Sequence, residues 1–282
     1  MMKLFKDSLY YENSKGERVY FTRFPYMMLA DTDLFDYEWK YNQTGSKGIS
    51  SVYKEAVQKT IKIVVSGKSF GNYKNNLDKM FAIFEFDAIN NLPGNIVYNG
   101  YRLPCIITSK SNPSKFILSY PSIIELVVST YSTGTWLKDI QKDFKWQNLN
   151  KGEYLDYPHD YEYDYSIHYG YLDYINIDTF LKAYPVVKIR GKASNPFVRI
   201  SNKIYGVNTV IDEHDTLVID SYNKKFYVVN DANNIKNVFS SRYSNDMLDG
   251  FVANEGNYQV YWEGDFNFSL DLVCERSEPS WI

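Results

Sequence analysis

Tyr154-Leu-Asp-Tyr-Pro-His-Asp-Tyr-Glu-Tyr-Asp-Tyr-Ser-Ile-His-Tyr-Gly-Tyr-Leu-Asp-Tyr174 divides the chain. Its tyrosines alternate with Asp, Glu, His, Pro and Gly, too aromatic for a flexible linker and too poor in aliphatics for a core helix. Tyrosine rings can pack on apolar neighbours while their hydroxyls stay wet, so the stretch reads as a strap laid over a surface. Before it the chain mixes strand patterns with a helical period; after it only short strands and turns follow. The expected organisation is an N-terminal domain over 1–140, a Tyr-rich connecting strap over 141–175 and a C-terminal domain over 176–282.

The first part opens with a hairpin: Leu9–Glu12 and Arg18–Phe21 flank the polar loop Asn13-Ser-Lys-Gly16. Leu34–Asn42 alternates Phe35, Tyr37, Trp39 and Tyr41 with Asp36, Glu38 and Lys40, which predicts a strand. Gln43–Ser51 is small and polar; it reads equally as a mobile loop or as an arm that orders against a neighbouring subunit. Thr60–Ser66 is a further strand. Asn72–Asn90 is the amphipathic helix, with Tyr73, Leu77, Met80, Phe81, Phe84 and Ala88 on one face. Asn99-Gly100 joins Ile96–Tyr98 to Tyr101–Leu103 in a tight hairpin, and Cys105–Ser109, Lys115–Tyr120 and Ile123–Tyr131 continue the strands. One helix among many strands predicts an α+β domain.

The second part predicts strands at Pro185–Gly191, Phe197–Ser201, Lys203–Asn208, Thr216–Ser221, Lys225–Asn230, Tyr258–Glu263 and Phe266–Glu275. Short strands at near-regular spacing without helices predict an all-β sandwich of jelly-roll type.

A chain of 282 residues holds one large or two medium domains, and 27 tyrosines lean it towards strands and interfaces. Its net charge of −3, without a basic block, gives no case for nucleic acid. The N-terminus turns polar too soon for a signal peptide, and no run reaches the ~20 apolar residues of a membrane span. A soluble protein made in the cytoplasm is expected. Cys105 and Cys274 sit in apolar strand patterns and read as buried thiols rather than a disulfide.

The search for chemistry predicts no catalytic, cofactor-binding or metal-binding residues. Asp156, Asp160, Glu162 and Asp164 are close in sequence, but nothing desolvates one selectively, so they read as solvated charges. His159 and His168 with Asp156 and Asp160 match no standard metal-ligand spacing. His214 lies in the turn Asp212-Glu-His-Asp215 with no nucleophile nearby. Nucleophile-elbow, phosphate-loop and dinucleotide motifs do not occur, so an enzyme is not expected.

In order along the chain, three pieces resemble the distal tail protein family of long-tailed phages that infect Gram-positive bacteria. Asp156–Tyr165 resembles the repeated Asp-Tyr segment ahead of that family's C-terminal domain. Ile189–Asn202, with Gly191-Lys-Ala-Ser-Asn-Pro196 inside it, is similar to the family's Gly-x-x-x-Asn-Pro strand pair, with Thr216–Ser221 following. Arg276-Ser-Glu-Pro-Ser-Trp281 resembles the family's Arg-x-x-Pro-x-Trp terminus. The resemblance implies an N-terminal domain that closes into a homo-hexameric ring and a galectin-like outer sandwich. It also implies partners: the major tail (tube) protein, a tail-associated lysin or hub protein, and a receptor-binding protein, in a virion assembled in the host cytoplasm. The alternative is a carbohydrate-binding module or tail adhesin whose exposed aromatics, Trp262, Tyr261 or Tyr258, stack on cell-wall sugars.

Overall fold

A computed structural model describes residues 9–22, 26–45, 48–111, 121–131, 133–146, 170–178 and 182–280. The chain groups into two compact units, 1–138 with 276–282, and 139–275. The expected strand at 115–120 and most of the Tyr-rich strap lie outside the described residues.

The first unit holds β1 (Tyr10–Glu12), β2 (Arg18–Tyr20), β3 (Met27–Thr32), β4 (Lys40–Gln43), β5 (Ile49–Tyr53), β6 (Gln58–Val65), α1 (Phe70–Asn90), β7 (Gly94–Tyr98), β8 (Tyr101–Ser111) and β9 (Ser122–Thr130). β10 (Trp136–Phe144) begins here and ends in the second unit. Antiparallel pairing gives the order β2-β1-β7-β8-β9-β6-β3. Alternate residues turn inward: Ile61, Ile63 and Val65 from β6, Ile124, Leu126 and Val128 from β9, Leu103, Cys105 and Ile107 from β8. The same core takes Tyr73, Met80 and Phe84 from α1. Asn99 and Gly100 both have positive φ (49° and 76°), as the two-residue turn between β7 and β8 requires.

The α1 N-terminus is capped by Ser69, whose side chain accepts from the Asn72 amide, and Asn91 ends it in the left-handed region. Ala88, expected on the buried face, is exposed. Asp87 takes the inner position and is fully buried. Its carboxylate accepts from the Tyr11 hydroxyl at 2.5 Å and from the Ser14 amide and hydroxyl at 3.0 and 2.6 Å, binding the helix to the β1–β2 hairpin. A buried carboxylate needs such donors, and burial together with the Asp87 contact pushes the Tyr11 phenol up.

The predicted strand over Leu34–Asn42 does not form as one element. Thr32 Oγ1 accepts from the Leu34 amide, Asp33 Oδ1 accepts from the Thr60 amide, and the Asp36 amide closes a turn onto the Asp33 carbonyl. These side-chain acceptors offer the backbone a turn in place of a ladder. Leu34 and Phe35 therefore both pack inward although they are sequence neighbours, Phe35 stacking on Trp136 at 5.8 Å. β3, immediately before, is one of the strands that the sequence pattern missed, with β5 and β10 among the others in this part of the chain.

The second unit is a sandwich of two antiparallel sheets. Its further strands are β11 (Gly170–Ile177), β12 (Lys182–Arg190), β13 (Ala193–Ser194), β14 (Phe197–Ile200), β15 (Lys203–Gly206), β16 (Val210–Ile211), β17 (Thr216–Asp220), β18 (Lys225–Val229), β19 (Ile235–Asn237), β20 (Phe251–Val252), β21 (Gly256–Glu263) and β22 (Asn267–Arg276). One sheet runs β19-β18-β17-β12-β22, the other β11-β21-β14-β15. Val187, Ile189, Leu217, Ile219, Phe268, Leu270 and Leu272 of the first meet Ile175, Ile177, Val198, Ile200, Val260 and Trp262 of the second in one core. All seven strands predicted after residue 185 are present. Strands occupy both described ends of the 141–175 span, β10 to residue 144 and β11 from residue 170. The terminal Arg276–Ser280, placed by sequence with the C-terminal domain, groups with the first unit: Arg276 donates to the Tyr101 hydroxyl and Lys54 to Ser277 Oγ.

Candidate assembly interface

Among the described residues β4 and β5 pair only with each other, in register Lys40↔Tyr53, Tyr41↔Val52, Asn42↔Ser51 and Gln43↔Ile49. Every residue of both strands is exposed. Polar side chains brace the ribbon: Asn42 donates to Ser51 Oγ at 3.0 Å, Ser50 donates to the Asn42 carbonyl at 3.1 Å, and Lys40 pairs with Glu55. Gly45, at φ +60°, turns the tip, and the Thr44 amide bonds the Gly48 carbonyl. At the base, the Lys54 ammonium sits 4.8 Å from the Trp39 ring and 5.1 Å from the Tyr37 ring.

The ribbon carries apolar side chains in water: Tyr41 is 55% exposed, Ile49 62% and Val52 52%. Tyr37 and Trp39 extend the same exposed surface towards the body of the unit. A lone two-stranded ribbon is marginal in water, and contiguous exposed apolar surface marks an interaction site. In the stretch 43–51, read from sequence as either a loop or an arm, Gln43 and Ile49–Ser51 belong to the two strands of the ribbon. The sequence signal lay in Tyr41, Ile49 and Val52, apolar residues beside a glycine-bearing turn.

Asp156, His159, Asp160, Glu162, Asp164 and His168 lie outside the described residues. His214 is exposed in the turn between β16 and β17, 3.8 Å from an equally exposed Asp231. Cys105 and Cys274 are both buried and neither forms a disulfide, and burial pushes the Cys105 thiol up to about 12. Among the described residues no three His, Cys, Asp or Glu side chains gather as a metal site, and no helix is long and apolar enough to cross a membrane. Of the three aromatics proposed to stack on sugars, Trp262 is buried in the sandwich core and Tyr258 packs against that core, its hydroxyl bonded to the Asn254 backbone. Tyr261 alone of the three belongs to the outward face.

No protein-family model and no curated protein matches the sequence. Solved structures do match. The SPP1 Dit protein, a distal tail protein of a phage that infects Gram-positive bacteria, superposes with a TM-score of 0.61 at 6% identity, covering 96% of this chain and 99% of that one. A chain of the phage P2 baseplate in its activated conformation with calcium gives 0.57 at 12% identity over 95% and 98%. The same baseplate with strontium gives 0.55 at 12% identity over 94% and 97%. At such identities the likeness is one of fold, and it runs through both units. The chain shares, nearly end to end, the fold of phage hub and baseplate proteins, the SPP1 distal tail protein among them.

Proposed function

We propose that the protein is a structural component of a phage tail, a ring-forming adaptor that joins the tail tube to the tip or baseplate and anchors host-adsorption components. The observation that carries this reading is the exposed apolar ribbon β4–β5 within a fold shared end to end with phage hub proteins. Residues 1–140 form the ring, 141–175 connect, and 176–282 form a galectin-like outer sandwich whose last residues return to the ring-forming unit. The ring is a homo-hexamer in the virion, and its neighbours are the major tail protein, a tail-associated lysin or hub protein and a receptor-binding protein. No step in this role requires a reaction.

A closed ring needs two different patches on each subunit, and the ribbon supplies one of them. Burying the exposed half of Tyr41, Ile49 and Val52 against a neighbour contributes roughly 2.5–5 kcal/mol per contact, at ~0.8–1.7 kcal/mol for each side chain. Native mass spectrometry of the full chain, alone and with the tube protein, tests this. Deleting residues 44–50, or changing Tyr41, Ile49 and Val52 to Ser, is expected to abolish the hexamer and incorporation into tails. An unchanged ring of unchanged stability would refute the ribbon's role.

A further inference from the structure

Among the described residues the sheet of the first unit ends at β2 on one side and at β3 on the other, and both ends reach one cleft of about 820 Å³ along α1. The Asn76 side chain donates to the Ser66 carbonyl, and the Ser66 amide donates to the Tyr26 carbonyl. These bonds set Met27, at the start of β3, beside the Asn76 end of the cleft. Near the other end the Lys15 ammonium stands 3.7 Å from the Phe86 ring centroid. Met80 and Ile83 of α1 make the floor between them apolar.

The backbone of β2 is used on one side only. The Asn13 amide donates to the Glu17 carbonyl and the Phe21 amide to the Leu9 carbonyl, each at 2.9 Å. An antiparallel ladder alternates, so Glu17, Val19 and Phe21 bond β1 while the amides and carbonyls of Arg18 and Tyr20 turn to the open edge. That edge lines the cleft. It offers two donors and two acceptors to an incoming strand. The charge around it is mostly of one sign: Lys15, Arg18 and Lys79 line the cleft against the single carboxylate of Glu17.

We propose that the β2 edge takes an extended acidic segment of a partner protein as an added strand. Main-chain bonds to Arg18 and Tyr20 supply affinity, and alternate side chains of the segment fall on opposite sides. One set meets the apolar floor of Met80, Ile83 and Phe86; the other carries carboxylates among the three cations. A basic segment would meet like charge, and a helix would leave the edge amides unpaired. From Asn76 to Phe86 the helix rises ~15 Å, the length of four to five strand residues at ~3.3 Å each. The segment is therefore short, extended, and alternately apolar and acidic. This site shares no residue with the β4–β5 ribbon, and it operates on a single subunit as well as on a ring.

The probe is a fluorescent synthetic peptide, Asp-Tyr-Glu-Tyr-Asp-Tyr, the order found at residues 160–165, titrated into the full-length protein and read by anisotropy. Saturable binding is expected, weakened at least about ten-fold by Lys15→Glu combined with Lys79→Glu, the scale of one lost contact. A peptide with Lys at its acidic positions is expected not to bind. Only alternate amides of an added strand face β2, so N-methylating one alternate set is expected to abolish binding and methylating the other to leave it. Lys236→Glu, in β19 of the second unit, makes a like change of charge and is expected to bind as the parent does. Circular dichroism checks that each variant is folded. No binding, equal binding by the folded double variant, or equal effects of the two methylated sets overturns the proposal. So does a change in oligomeric mass in the double variant, which would make the edge a contact between copies of this chain.

Discussion

Replacing Asp87 by Ala removes the fully buried carboxylate that ties α1 to the β1–β2 hairpin. The Tyr11 hydroxyl, itself in the core, loses its acceptor, and an orphaned buried hydroxyl costs about 1–3 kcal/mol. Ser14 is exposed and can turn to water, so its two bonds add only about 0.5–1 kcal/mol each. Relief of the buried charge offsets part of this. The expected net loss is about 3 kcal/mol, or roughly 6–12 °C in the melting of the first unit. Differential scanning calorimetry and urea titration of the full chain measure it. The sharper measurement is the cycle with Tyr11→Phe. Removing both partners leaves no orphan, so the double variant is expected to be more stable than the sum of the single losses by about 1–2 kcal/mol. Additive losses would refute the hydrogen bond as the link between helix and hairpin.

Stability is expected to fall as pH rises above about 9. The Cys105 thiol, pushed up to about 12 by burial, stays protonated in the folded chain while the unfolded chain releases its proton near 9. Unfolding then releases a proton, each one steepening the loss by about 1.4 kcal/mol per pH unit. Cys105→Val, followed by urea titration between pH 8 and 10.5, is expected to flatten that slope; an unchanged slope would place the titration elsewhere. In the second unit the Tyr205 hydroxyl is fully buried without a hydrogen-bond partner among the described residues. Tyr205→Phe is therefore expected to leave stability unchanged or to raise it by about 1 kcal/mol, and a loss of more than about 1 kcal/mol in urea titration would show that the hydroxyl is bonded.

What the sequence determined by itself was local. The alternation in β6, β9, β12 and β22 sets which side chains share a face, and burial follows it almost residue by residue. Asn99-Gly100 carries its backbone geometry in its own chemistry, so the hairpin turn was readable, whereas the helix expected over Asn72–Asn90 begins at Phe70 behind a Ser69 cap. The resemblance in the strand pair after Gly191 and at the C-terminus pointed to a fold that the solved structures share.

Tertiary structure decided what depends on partners distant in sequence. Leu34–Asn42 alternates as well as any strand, yet Asp33 meets the Thr60 amide and the chain turns instead. Asp87 lies inward where Ala88 was expected, because Tyr11 and Ser14 bring donors from more than 70 residues away. Tyr261 and Trp262 are neighbours with similar propensities. Which of them faces water is set by the register of β21 between β11 and β14, since a shift of one residue would exchange them. A period says which side chains travel together; only the pairing of strands says which side of the sheet they reach.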